Sequence, residues 1–260
     1  MPVAHANGLD IRYEVQGSGP WLVLSHSLAC DLARWDKQAE ALSRYLTVLR
    51  YDTRGHGGSS VPPGPYAFED AVADLVGLLD VLNIERAHFA GLSMGGMIGQ
   101  HFALMHPGRL DRLVLASTHC RSQPAAREAV AQRIAMAERG GMAALVEPTL
   151  ARWFTEPWRY SHPEVMAKVG ALIAATPVAG YAACSRMVAG MDTLERLPQI
   201  RANTLVLVGD EDAGTTPEMA AVIAGAIPGA RLEVLPQASH LLNIEQAQMF
   251  GMLVVEFLNQ

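Results

Sequence analysis

Three side chains spaced far apart in the chain have the types that nucleophilic acyl transfer needs. The first is Ser93, set in Gly91-x-Ser93-x-Gly95, the nucleophile-elbow pattern. A serine hydroxyl is a weak nucleophile; it needs a base to take its proton and a carboxylate to orient that base. Where an elbow serine opens such a set, the acid follows it in the chain and the histidine comes last. Of the nine histidines, only His240 lies beyond the strand that should deliver the acid. The acid itself is expected in Gly209-Asp210-Glu211-Asp212. Three carboxylates compete there. Asp212, at the far end of the turn, is favoured, with Asp210 in reserve. A developing oxyanion needs two N–H donors. The Met94 N–H, at the start of a helix, is one candidate, and the Leu28 N–H, in Ser25-His26-Ser27-Leu28, is the second. His26 could serve as another base, but it reads better as a loop histidine that bonds backbone. Asp52, Arg54 and His56 read as loop scaffolding.

The elements that must position these groups follow from periodicity. Residues 3–6 and 9–15 are expected to form a hairpin joined at Asn7-Gly8, because both turn residues tolerate positive φ. Short apolar runs at 21–24, 46–51, 87–90 and 110–116 read as strands buried on both faces. Between them, residues 31–43, 68–82 and 94–105 carry apolar side chains at helical spacing. This alternation predicts a mostly parallel sheet with helices on both faces. The pattern then breaks. Residues 121–197 offer only helical segments, at 125–138, 142–153, 163–175 and 178–191, punctuated by prolines. An all-helical insertion in such a sheet is a natural lid. Strand alternation returns at 204–208, followed by a helix at 217–226, a strand at 231–235 and a closing helix at 244–258. The expected organisation is a core of 1–120 and 198–260 with a lid of 121–197.

Composition narrows the class. The chain has 260 residues, half of them hydrophobic, and a formal net charge of −6. Without a basic run, neither nucleic acid nor an anionic membrane is an expected partner. No apolar stretch runs for the roughly 18 residues of a membrane-spanning helix. The N-terminal residues lack the charged and apolar regions of a signal peptide, so a cytoplasmic location is expected. Cys30, Cys120 and Cys184, odd in number and widely spaced, read as buried reduced thiols. No metal-ligand spacing is present, and the expected chemistry needs no cofactor. A homo-oligomer is left open.

Several stretches are similar to those of the α/β-hydrolase superfamily: Asp52-x-Arg54-Gly55-x-Gly57, Gly91-Leu92-Ser93-Met94-Gly95-Gly96, Gly209-x-x-Asp212 and Ser239-His240. The likeness implies the α/β-hydrolase fold, a mostly parallel eight-stranded sheet flanked by helices with a helical lid inserted. A closer resemblance is to the 3-oxoadipate enol-lactonases of the protocatechuate branch of aromatic degradation. It rests on Leu24-Ser25-His26-Ser27-Leu28 with Arg34-Trp35, on Leu49-Arg50-Tyr51-Asp52-Thr53-Arg54-Gly55-His56-Gly57, and on Ile84-Glu85-Arg86-Ala87-His88-Phe89. It extends into the lid with Gly140-Gly141-Met142, Ala151-Arg152-Trp153-Phe154-Thr155 and Gly180-Tyr181-Ala182-Ala183-Cys184. His26 stands where that family more often carries Asn.

The resemblance implies cleavage of a lactone ester through Ser93, Asp212, His240 and an acyl-enzyme. The partner would be a small ester or lactone that bears a carboxylate. An acidic protein must then supply a local cation, for which Arg133 in the first lid helix is the candidate, with Trp153 as an apolar wall. A carboxylesterase or another lactonase, such as one for acyl-homoserine lactones, would share the triad and prefer neutral substrates. A perhydrolase and a hydrolase-fold ligand receptor are more distant readings.

Overall fold

The structure is a computed structural model and describes residues 2–259. The N-terminal half alternates strictly enough to build a layered sheet. Strands β1 (Val3–Ala6), β2 (Leu9–Gln16) and β3 (Trp21–Ser25) precede helix α1 (Asp36–Leu42) and strand β4 (Thr47–Tyr51). Helix α2 (Phe68–Val81), strand β5 (Ala87–Leu92), helix α3 (Met94–Met105) and strand β6 (Leu110–Ala116) follow. Five helices come next: α4 (Pro124–Gly140), α5 (Val146–Trp153), α6 (Glu156–Ser161), α7 (Pro163–Ala175) and α8 (Val178–Ala189). The chain closes with β7 (Asn203–Gly209), α9 (Pro217–Ala226), β8 (Arg231–Leu235), α10 (Leu242–Glu245) and α11 (Ala247–Leu258).

The eight strands form one sheet in the order β1-β2-β4-β3-β5-β6-β7-β8. β1/β2 and β2/β4 are antiparallel, and every later pairing is parallel. The period-2 pleat sends alternate residues of each central strand to opposite cores. Phe89, Leu113, Leu115, Val206 and Val208 join α2, α3 and α9 on one face. Ala90, Leu92, Val114, Leu205 and Leu207 join α1 and α11 on the other. Each fully buried Leu or Phe contributes about 1.5–3 kcal/mol relative to exposure. With both faces covered, every residue of β5 is buried.

The helical insertion is rooted in the second of these cores through Ile134, Leu150, Trp153, Val169 and Ile173. Its two ends meet at a neck. Thr193 N–H donates to Cys120 O at 2.7 Å and Ser122 N–H to Met191 O at 2.8 Å. Arg121 pairs with Asp192 at 2.8 Å and Glu195 at 3.2 Å. Three segments expected as continuous helices are divided. Residues 31–43 begin with a 3-10 turn, Leu32–Trp35, capped by the Asp31 side chain, before α1. Residues 142–153 split into a 3-10 turn, Met142–Leu145, and α5. The closing helix is broken at Gln246 into α10 and α11. These divisions are invisible to periodicity, because the apolar spacing of a short helical turn and the helix that follows it runs on through the break. Helix α6 had no apolar signal of its own and was not expected; none of its residues is fully buried. Among the described residues, no single helix is long and apolar enough to cross a membrane; α7 and α8 reach that composition only jointly, across a 93° bend.

Candidate active site

Ser93, Asp212 and His240 all follow C-terminal ends of parallel strands, β5, β7 and β8, and so reach the same edge of the sheet. Ser93 sits at the β5–α3 turn with φ 55° and ψ −112°, a conformation that costs a non-glycine residue about 1–3 kcal/mol. The surroundings hold it there. Its N–H donates to Ala116 O at 2.8 Å, and its carbonyl accepts from Met97 N–H at 3.1 Å and from the Thr118 hydroxyl at 2.9 Å. The flanking glycines are steric necessities. A Cβ on Gly91 would run into the Gly95 carbonyl, and one on Gly95 into the Ser25 carbonyl. Met94 opens α3 and is buried. Its N–H is one of the first four of the helix, which find no intrahelical acceptor.

The loop carrying Leu28 is braced by two buried imidazoles. His26 Nε2 accepts from Thr53 N–H at 2.9 Å and therefore carries no proton, so Nδ1–H donates to Ser27 O at 2.8 Å. His56 Nε2 accepts from Ala29 N–H at 3.0 Å. Both rings are neutral. Burial pushes His26 below the usual histidine value, and burial together with His26 brings His56 to about 3. With both nitrogens of His26 bonded to backbone, it has no lone pair to offer as a base. Asp52 accepts from Leu32 N–H at 2.7 Å and Gly58 N–H at 2.7 Å, and Arg54 pairs with Asp74 at 2.6 Å. These are scaffold contacts.

Asp212 is 2% exposed. Its Oδ1 accepts from Gly214 N–H and Thr215 N–H, both at 2.9 Å, and its Oδ2 from the Thr215 hydroxyl at 2.6 Å and His240 Nδ1 at 2.9 Å. Burial alone would raise its pKa; the His240 charge and these hydrogen bonds overcome it and bring the carboxyl to about 2. Asp210 is exposed and only accepts from Ala238 N–H at 3.2 Å. Of the competing carboxylates, the structure puts Asp212 on the histidine.

The segment around His240 is tied to the insertion. Trp153 stacks along its ring, with centroids 6.2 Å apart, and Leu241 N–H donates to Trp153 O at 3.0 Å. One carboxylate fastens the two parts. Glu245 accepts from Ser239 N–H at 2.6 Å, Thr155 N–H at 2.8 Å and the Thr155 hydroxyl at 2.9 Å.

Arg133 lies in α4 near Arg152 of α5. Burial, and then the charge of Arg133, depress the Arg152 guanidinium below its usual value. Among the described residues neither forms an ion pair within 4.0 Å, and the charge of Asp212 acts on Arg152 in the opposite sense to Arg133. His119, after β6, is pushed by burial and by neighbouring His240 down to about 4. Sequence reasoning missed Thr215, Glu245, Arg152 and His119. Arg152 had a signal, since it immediately precedes Trp153; the other three carry none that spacing could reveal. Among the described residues, no cluster of three or more His, Cys, Asp or Glu could hold a metal.

The sheet order and the strand-end constellation define a class, and the comparisons agree with it. The model of the α/β hydrolase fold family matches residues 20–247. The chain belongs to the α/β hydrolases and is an enzyme of the ester-cleaving kind. Within the family it is similar to 3-oxoadipate enol-lactonase 2 of Acinetobacter baylyi, at 34% identity over 96% of each chain. The crystal structure of the enol-lactonase from Burkholderia xenovorans LB400 superposes with a TM-score of 0.96, at 40% identity over 100% of both chains. A protein of Agrobacterium fabrum named for carbamate hydrolysis, RutD, is 30% identical over 95% of this chain and 98% of its own.

Proposed function

We propose that this chain is a serine lactonase that opens a carboxylate-bearing enol-lactone, with 3-oxoadipate enol-lactone of aromatic degradation as substrate. The Asp212–His240 hydrogen bond of 2.9 Å, on the same sheet edge as the elbow serine, carries the reading. His240 takes the Ser93 proton, and the hydroxyl oxygen attacks the lactone carbonyl. Asp212 holds the imidazole with Nδ1–H inward and stabilises the imidazolium. The Met94 and Leu28 N–H groups receive the oxyanion. Ring opening expels an enolate, which His240 protonates; the enol then becomes the ketone. Water, deprotonated by His240, attacks the acyl-enzyme and returns Ser93.

The substrate class rests on charge. The chain carries a formal net charge of −6, yet the insertion that meets His240 holds Arg133 and Arg152, whose charges repel each other and which among the described residues form no ion pair; Asp212 is the carboxylate whose charge reaches Arg152. Two guanidiniums that no ion pair occupies among the described residues suit a substrate carboxylate. Trp153 forms the apolar wall beside the histidine. The insertion of 121–197 acts as the lid that shuts this pocket from water. The reaction takes place in the cytoplasm.

The test is kcat/KM for the enol-lactone beside a neutral ester of similar size, for the wild type and Ser93→Ala. Preference for the enol-lactone by about a hundredfold or more, abolished in Ser93→Ala, supports the reading. Preference for the neutral ester, or for a carbamate, leaves the hydrolase chemistry and removes the substrate.

A further inference from the structure

A second group of cations lies away from the triad. Between the Leu32–Trp35 turn, α1, α7 and α10 runs a cleft of about 550 Å³. Neither Ser93, Asp212 nor His240 lines it. Its floor carries Arg34, only 7% exposed. Among the described residues the guanidinium pairs with no carboxylate within 4.0 Å, and its Nε and Nη2 are shut from solvent without an acceptor. The other arginines buried to the same degree have anions: Arg50 pairs with Glu14 and Asp36, and Arg54 with Asp74. A buried charge left without a partner is costly and marks a place where an anion is missing.

The remaining lining says what kind of anion. Lys37 and Lys168 stand exposed on the two sides, one on α1 and one on α7. Asp36 also borders the cleft, but its carboxylate is committed to Arg50. Behind the cations, Val165, Val169, Leu172 and Ile244 make an apolar wall. Asn243 adds a buried amide whose Oδ1 has no donor, while its Nδ2 donates to Gln38 Oε1 at 3.2 Å.

We propose that this cleft is a second ligand site, one that takes a monoanionic amphiphile with a carboxylate head and an aliphatic tail. The head lies between Lys37 and Lys168 and meets Arg34 at Nη1, the one terminal guanidinium nitrogen not shut from solvent, and the tail lies along the α7 wall. Asp36 at the border disfavours a polyanion. A ligand held there touches both the core, through α1 and α10, and the insertion, through α7. It therefore fastens the two together at a point remote from the nucleophile.

Titration calorimetry with sodium octanoate, 1-octanol and inorganic phosphate tests this on the full chain. Three proteins are compared: wild type, Arg34→Met, and Lys37→Ala with Lys168→Ala. Octanoate is expected to bind wild type, to lose about fivefold or more in affinity in the double lysine variant, and to lose this site in Arg34→Met. The ligand-free Arg34→Met protein is expected to melt higher than wild type, because an orphaned buried charge has been replaced by a methylene chain and a thioether. Octanoate binding unchanged in the lysine variant places the ligand elsewhere and overturns the proposal. Equal affinity for 1-octanol, or for phosphate, overturns the amphiphilic-anion assignment. If Arg34→Met does not fold, the exposed lysine variant decides the matter alone.

Discussion

Thr215 donates its hydroxyl to Oδ2 of Asp212 at 2.6 Å, on the same oxygen that accepts from His240 Nδ1. The hydroxyl also lies 3.2 Å from His240 Nδ1. It thus braces the acid and the histidine together, and turns Oδ2 toward the ring. In Thr215→Val the carboxylate keeps its backbone donors but can rotate. We expect kcat to fall by about tenfold, the loss of one hydrogen bond to a charged group. KM should be little changed, and Thr215→Ser should restore most of the rate. Steady-state kinetics of the three proteins check this; an unchanged kcat in the valine variant would show the hydroxyl to be dispensable.

The same carboxylate sets an acid limit. Asp212 titrates near 2 in the folded chain, against 3.8 when unfolded. A lowered value favours the folded state above the unfolded pKa and withdraws that stability as pH falls through 2. The contribution is about 2 kcal/mol at neutral pH. Thr215→Val, which removes one of its donors, should raise the folded value. Acid unfolding followed by circular dichroism should then begin at higher pH in the variant than in the wild type.

The buried histidines act over a different range. His56 titrates near 3 and His119 near 4 in the fold, both from 6.5. Between those values and 6.5 the unfolded chain binds protons that the folded chain refuses. Stability therefore drops as pH is lowered from 6.5, by about 1.4 kcal/mol per pH unit for each such group. His56→Gln should shrink the slope of unfolding free energy between pH 6 and 5 by that amount. Urea titrations at the two pH values measure it.

Glu245 is expected to matter beyond its distance from the chemistry. Removing its carboxylate in Glu245→Ala strips acceptors from Ser239 N–H, Thr155 N–H and the Thr155 hydroxyl. Leaving buried donors unmatched costs about 1–3 kcal/mol each. A lower melting temperature and a lower kcat should appear together, because Ser239 precedes His240. Glu245→Gln keeps one acceptor oxygen and should fall between the two.

The paired arginines bear on substrate choice. Arg133→Met and Arg152→Met should each raise KM for a carboxylate-bearing lactone by about tenfold. A neutral ester should be handled nearly as well as by the wild type. Equal losses on both substrates would point to a structural role for the pair.

Much of this was legible before any coordinate. The elbow pattern and the chain order Ser-Asp-His depend on local turn chemistry and on the direction of parallel strands, so short stretches around Ser93, Asp212 and His240 carried them. Alternating apolar runs separated by amphipathic helices were enough to predict the doubly covered sheet, because burial on both faces is written into composition. Single-residue matters were not legible. Asp210 and Asp212 differ by two positions, and only the fold of the β7–α9 loop turns one into solvent and the other onto His240. The roles of Thr215, Glu245 and Arg152 depend on partners up to 90 residues away. So does the isolation of Arg34, since nothing in its neighbourhood in sequence says that no carboxylate will come near. Periodicity reports which side of an element is buried, because that follows from the geometry of one helix or strand. Hydrogen-bond partners and unmatched charges belong to pairs of distant segments, and only tertiary packing decides which of them meet.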